Sequence, residues 1–238
     1  MANPKGRDWT TDQPAEGLAV TQPRRGFRYG SEAFWLVGFA LDGAPPPESA
    51  VDLGTGSGIM ALLLGRSGVS VTGVDLRREW EPLWRRSLGG SNLAGSVDLR
   101  VHDVGQGPPV TGVDLVVSNP PFFAAGTGPA SEDAWKRAAR TESTATLARF
   151  VEVAVGCVGS EGRACWVVPR ERWSEVTHRD ASVSRVVHVG KRRSLVELRV
   201  GGPRRAVEEK VVSDRGPVVR RWYALATGAS TPDRAKKT

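Results

Sequence analysis

No apolar run in this chain approaches the ~18 residues that a membrane-spanning helix needs. The stretch from Met1 to Gln22 also lacks the apolar segment of a secretory signal. Cysteine is scarce: Cys157 and Cys165 both sit in apolar contexts without metal-ligand spacing. That usage predicts buried thiols in a reducing cytoplasm. The three histidines (His102, His178, His188) are scattered, so no metal is expected. These absences point to a cytoplasmic protein that uses neither membrane nor metal; a monomer is expected rather than an oligomer.

What the chain has instead is positive charge, +7 over 238 residues. It is unevenly placed. From Lys191 to Thr238 there are 13 Lys+Arg against 5 Asp+Glu, and the rest of the chain has 20 against 21. Basic character confined to one part of a domain suggests a polyanionic partner such as nucleic acid. The pairs and clusters Lys191-Arg192-Arg193, Arg204-Arg205 and Arg220-Arg221 are the candidate phosphate contacts.

Residues 1–21 are polar and contain proline and glycine, so a disordered tail is expected there. Residues 22–48 read as an N-terminal arm and helix, with Ser31 as N-cap. From 49 to 227 a βα rhythm follows. Strands are expected at Ala50–Leu53, Val69–Val74, Val97–Val101, Val113–Val117, Arg163–Val168, Val183–Val189 and Leu195–Val200. Helices are expected at Ile59–Arg66, Arg78–Leu88, Thr146–Val158 and Arg170–Arg179. Alternation of this kind predicts an α/β fold with a mainly parallel seven-stranded sheet, helices on both faces and an antiparallel closing hairpin. Residues 228–238 read as a second disordered tail.

The strand Val113–Val117 ends in Ser118-Asn119-Pro120-Pro121-Phe122-Phe123. Two prolines without N–H groups end the pairing there. The Asn119 carboxamide and Pro120 carbonyl are thereby held at a strand's C-terminal edge, where open α/β sheets bind ligands. Two acceptor oxygens followed by an aromatic ring suit a flat group bearing NH₂. Upstream, Asp52-Leu53-Gly54-Thr55-Gly56-Ser57-Gly58 occupies the first βα junction. Its alternate glycines allow a tight turn and close approach of a ligand to the backbone. The spacing differs from the dinucleotide fingerprint, whose third glycine comes one place later. Asp75 ends the second strand, where it can accept from both ribose hydroxyls of an adenosine cofactor. Asp103 ends the third, within reach of an adenine amino group, and each acid is followed by an apolar residue, Leu76 and Val104.

With these residues the chain resembles the class I S-adenosylmethionine-dependent methyltransferases. Asp52 to Gly58 looks like their motif I, and Asn119-Pro120-Pro121-Phe122 like motif IV of those that methylate amines. Within that superfamily the chain is most similar to the bacterial tRNA1(Val) adenine-N6-methyltransferases. The further matching stretches are Gly26-Phe27-Arg28-Tyr29-Gly30-Ser31-Glu32 and Ala139-Arg140-Thr141-Glu142, with a weaker match over Val211-Val212-Ser213-Asp214-Arg215-Gly216. Glu32 departs from the family, which often has Asp there.

The resemblance implies a Rossmann-like fold and S-adenosyl-L-methionine as cofactor. It implies cofactor contacts from Arg28, Asp52, Gly54, Thr55, Gly56, Gly58, Asp75, Leu76, Asp103, Val104 and Asn119. It implies Asn119, Pro120, Pro121 and Phe122 as the catalytic tetrad, and an unpaired or flipped adenine in RNA, most naturally tRNA, as substrate. A protein-glutamine N5-methyltransferase, a DNA adenine-N6 methyltransferase and a non-catalytic RNA-binding module are the alternatives. The tetrad alone specifies an amino group on a planar carrier.

Overall fold

In the computed structural model the described residues are 9–25, 28–42, 45–120, 123–124, 141–142, 145–201 and 207–229. Five parallel strands begin the main sheet: β3 (Ser49–Leu53), β4 (Ser70–Asp75), β5 (Val97–Val101), β6 (Val113–Ser118) and β9 (Val158–Pro169). Their near-continuous apolar character reflects burial on both faces. The pair β10 (Ala181–Val189) and β11 (Arg193–Val200) forms the expected antiparallel hairpin, with β11 inserted beside β9. With β12 (Glu208–Val212) at one edge, the spatial order is β12-β10-β11-β9-β6-β3-β4-β5. Short parallel strands β7 (Phe123–Ala124) and β8 (Thr141–Glu142) pair separately.

The sheet has eight strands where seven were expected, because β12 (Glu208–Val212) adds parallel to β10. The segment Glu-Glu-Lys-Val-Val is largely exposed and lies at the sheet's edge. A charged edge strand lacks the apolar signature of an inner one, and the charge guards its open side against further pairing.

A larger correction concerns the N-terminus. Residues 9–21 are not a disordered tail: β1 (Trp9–Ala15) and β2 (Leu18–Pro23) make an antiparallel hairpin turning at Gly17, φ 70°. All six residues of β2 are buried. Its polar side chains have dedicated partners: Thr11 and Thr21 hydroxyls meet at 2.9 Å, and the Thr21 N–H donates to Ser87 Oγ at 2.9 Å. Partners so distant in sequence leave no local pattern.

The helices are α1 (Ser31–Leu41), α2 (Ile59–Arg66), α3 (Glu81–Gly89), α4 (Leu147–Cys157) and α5 (Pro217–Thr227). Gly30, rather than Ser31, is the N-cap of α1, without a side-chain cap bond. Thr146 caps α4 by accepting from the Arg149 N–H. The helix expected over 170–179 is only a 3₁₀ turn, Arg170–Glu175. It carries no buried residue, so nothing packs it into a longer helix. Both cysteines are buried, and burial pushes their thiols up to about 11 (Cys157) and 12 (Cys165).

Helix α1 is clamped at both ends. Its last carbonyls run short of donors from the helix itself, although the C-cap Asp42 N–H reaches Phe39 O at 3.3 Å. Arg185 donates to Phe39 O at 2.6 Å and Asp42 O at 3.0 Å, and Arg163 donates to Ala40 O at 3.0 Å. Arg185 also pairs with buried Glu197 at 3.0 Å. At the other end Glu32 pairs with Arg193 at 3.4 Å, which sets the start of α1 beside the C-terminal end of β9. Along its length α1 meets α5 so closely that a Cβ on Gly38 would overlap Trp222 O, Cα and Cβ. Gly38→Ala must therefore push two helix backbones apart. We expect a loss of about 1–3 kcal/mol, read as a melting temperature lowered by roughly 3–10 °C. An unchanged melting temperature would show that the two helices are not held this tightly.

Candidate functional site

The strand register gathers the predicted residues at one edge. Leu53 aligns with both Val74 and Ser118, and Asp75 aligns with Val101. The loops after β3, β4, β5 and β6 therefore open side by side at their C-terminal ends. The chain order reverses between β3 and β6, which is the switch point where such sheets bind ligands.

The loop after β3 carries Gly54, Gly56 and Gly58 with φ of 74°, 54° and 83°, left-handed values that a side chain resists. Gly54 N–H and Thr55 N–H both donate to Val74 O, at 2.9 and 2.8 Å. Gly56 N–H donates to Asp75 Oδ2 at 3.0 Å, and Gly58 begins α2. Asp75 also accepts from the Arg77 N–H through Oδ1 at 3.0 Å. The Arg77 guanidinium also pairs with Oδ1 at 3.4 Å, so that oxygen has two bonds, whereas Oδ2 has one and keeps further lone-pair capacity. Beside it Leu76 is 43% exposed, a large apolar side chain left uncovered at the strand end. Asp103 accepts from the Gly105 N–H at 2.8 Å and so caps a 3₁₀ turn, while Val104 is buried. Asn119 is half-buried and Pro120 buried. Pro121 and Phe122 lie outside the described residues.

Asp52 has a different place. It is wholly buried beneath the loop, where Oδ2 accepts from Thr55 Oγ1 at 2.6 Å and from the Ala61 N–H at 3.2 Å. It shapes the loop and anchors α2 from below. Its Oδ1 has no hydrogen-bond partner among the described residues. Burial pushes this carboxyl up to about 7, against the pull of those two bonds. Arg28 meets the hairpin: its guanidinium pairs with Asp12 at 2.7 Å, and Asp12 also receives Gln22 Nε2 at 2.6 Å.

The candidate nucleic-acid contacts divide. Lys191 and Arg192 are exposed in the β10–β11 turn, and Arg193 is turned toward Glu32. Arg220 is exposed and donates to Arg215 O, whereas Arg221 pairs with Asp42 at 2.5 Å. Arg204 and Arg205 lie outside the described residues.

Three residues of the site escaped sequence reasoning. Ser118 is fully buried, and its Oγ donates to Leu53 O at 2.8 Å, tying the end of β6 to the end of β3. Its one available signal was a polar residue closing an apolar strand. Trp84 Nε1 donates to Gly56 O at 2.8 Å and holds the glycine loop from α3. Gly73 lets α2 sit close, since a Cβ there would crowd Leu99, Thr55 Oγ1 and Ala61.

The titration of Asp52 gives a test. The folded protein holds this proton up to about pH 7, whereas an unfolded aspartate loses it near ~3.9. The resulting stabilisation is complete below the unfolded value and is lost as pH rises through the folded one. Asp52→Asn has no such titration. Relative to the variant, wild type should lose up to about 4 kcal/mol between pH 4 and 8. Denaturant unfolding at several pH values measures this, and a pH-independent difference would contradict it.

The chain matches the family model of the methyltransferase small domain over residues 41–181. It is 27% identical over 173 residues to the tRNA1(Val) (adenine(37)-N6)-methyltransferase of Citrobacter koseri, covering 69% of this chain and 67% of that one. The enzyme of the same name from Salmonella arizonae is 26% identical over 169 residues, with the same coverage. A solved structure described as a putative class I S-adenosylmethionine-dependent methyltransferase from Listeria monocytogenes superposes with TM-score 0.56 at 17% identity, covering 84% of this chain and 71% of that one. A predicted O-methyltransferase from Agrobacterium tumefaciens also gives 0.56, at 16% identity and 85% and 99% coverage. These two likenesses establish the fold. The glycine loop, the acids at successive strand ends and the matched family model together make the chain a member of the methyltransferase small domain family, an S-adenosylmethionine-dependent methyltransferase.

Proposed function

We propose that this methyltransferase acts on the exocyclic N6 amine of an unpaired or flipped adenine in RNA, with tRNA as the substrate class. The observation that carries the reading is the position of Asn119-Pro120. It follows β6 directly, at the switch point beside the glycine loop and Asp75. The names of the Citrobacter and Salmonella relatives support the choice of tRNA and adenine.

The residues fit S-adenosyl-L-methionine. Three left-handed glycines leave the loop surface free of Cβ atoms, Asp75 retains acceptor capacity, and Leu76 offers an apolar surface next to it. In this reading Asp75 accepts from the ribose hydroxyls, and Leu76 and Val104 flank the adenine. The second Asp103 oxygen accepts from the adenine amino group. Gly54, Thr55, Gly56 and Gly58 line the remainder. When bound, the cofactor supplies an electrophilic sulfonium methyl group.

The protein's own contribution is alignment and electron demand. Asn119 Oδ1 and Pro120 O accept the two N–H bonds of the target amine. That draws the nitrogen lone pair out of conjugation and points it at the methyl group. Phe122 stacks on the base, a contact worth about 1–3 kcal/mol. No strong base is needed before attack, because the amine becomes acidic as the new C–N bond forms. Holding the reactants in line accounts for much of the acceleration. A base inside a duplex cannot reach Asn119, so the target must be unpaired or extruded.

Labelled methyl transfer to total RNA, total DNA and total protein tests the substrate class. Label in RNA, found as N6-methyladenosine on nucleoside analysis, is the expected result, and label confined to protein would overturn the reading. Asn119→Ala should reduce turnover by at least about 10²-fold while leaving cofactor affinity within a few-fold. Asp75→Ala should do the reverse first. Loss of its charge-assisted bonds weakens cofactor binding by roughly 10- to 100-fold, as measured by calorimetry.

A further inference from the structure

The two ends of the eight-stranded sheet carry different charge. Val189 pairs with both Arg193 and Val212, and Arg193 pairs with Pro169. The turn 190–192, the 3₁₀ turn Arg170–Glu175 and the segment 213–216 therefore converge at the end where β6 delivers Asn119. They are joined by backbone: Gly190 N–H donates to Val212 O at 2.9 Å, and Arg170 N–H to Arg192 O at 3.0 Å. Four exposed cations stand on this corner: Lys191, Arg192, Arg215 and Arg220. Arg220 donates to Arg215 O at 2.7 Å, which keeps those two side by side. The exposed acids Glu171 and Asp214 offset only part of this charge, and Glu175 is held by Arg172 at 2.7 Å.

The other basic candidates are placed differently. Arg193 and Arg221 are committed to Glu32 and Asp42. Gly201 and Val207, which flank 202–206, lie at the opposite end of the sheet, because β11 runs away from the Asn119 edge and β12 starts from the far side. Eight residues of β11 separate the two ends, roughly 25 Å at strand spacing. Among the described residues at that far end, the exposed acids Glu48, Glu161, Asp180 and Glu208 outnumber the bases.

We propose that Lys191, Arg192, Arg215 and Arg220 form a phosphate-binding corner over which the RNA strand enters the site, and that Arg204-Arg205 takes no part. The inference rests on the RNA reading above. Strands β9, β11, β10 and β12 step outward from β6 at about 4.8 Å each. The corner thus flanks the acceptor position by roughly 10–20 Å, within reach of nucleotides next to the target. Phosphate contacts of this kind set orientation and affinity, and leave the choice of base to the tetrad.

The test compares K191Q/R192Q/R215Q with R204Q/R205Q, using unfractionated tRNA. Filter binding across a salt series should show the triple variant weakened by on the order of tenfold or more, with the slope of log K against log salt reduced by about 2–3. Its melting temperature and cofactor affinity should match wild type, and R204Q/R205Q should bind tRNA as wild type does. If wild type methylates tRNA and the triple variant keeps its affinity and slope, the corner is refuted and the RNA reading stands. A triple variant that also loses melting temperature or cofactor affinity refutes the corner too, since its residues would then serve packing. If wild type neither retains nor methylates tRNA, both fall together.

Discussion

The hydrogen bond from Ser118 Oγ to Leu53 O, 2.8 Å in a fully buried position, fixes the relation on which the site depends. It locks the end of β6 against the end of β3. The glycine loop leaves from one strand and Asn119-Pro120 from the other, so the two segments share one boundary. A one-residue slip of β6 would exchange the faces of all its side chains and carry Asn119 about 3.3 Å along the strand. Apolar burial on both faces of β6 and β3 makes the register expensive to change, and Ser118 adds a directional bond to that non-directional force.

Around this boundary the protein spends its polar groups on positioning. Asp52 works from beneath the loop through Thr55 and Ala61, Trp84 holds Gly56 O from α3, and Asp75 accepts from the Gly56 N–H. The loop is thus shaped before any ligand arrives, which lowers the ordering cost of binding. Helix α1 is treated likewise. Arg163 and Arg185 cap its last carbonyls at the far end of the sheet, and the Glu32–Arg193 pair sets its first turn at the near end. The Glu32 side chain spans from that first turn to Arg193 on β11.

Charge follows the same geography. The basic C-terminal quarter looks uniform along the chain but is divided by the fold. β10 and β12 run toward the Asn119 edge and β11 runs away from it, so Arg193 and Val200, seven residues apart, lie at opposite ends. Spacing along the chain holds no information about this, because a single strand reversal moves a cluster by the full height of the sheet.

Much of the fold and the site was legible beforehand, for local reasons. Alternating βα segments imply a parallel sheet. Asp52 to Gly58, Asp75, Asp103 and Asn119-Pro120 are recognisable because each sits at a strand end marked by glycine, proline or an acid. Residues 9–21 and β12 were misread or missed because their polar composition hides pairing with partners far away, as when Thr21 N–H meets Ser87 Oγ. Ser118, Trp84 and Gly73 act through contacts across 28 to 65 residues or between packed layers, and no periodicity reports those. By itself, then, the sequence determined the class of fold and the chemical groups at the strand ends, since local backbone chemistry sets both. Only the tertiary structure decided that Asp52 acts from below, that Arg193 and Arg221 are bound to carboxylates, and which cations stand at the Asn119 edge. Those outcomes depend on which distant groups burial and strand register bring within hydrogen-bonding distance.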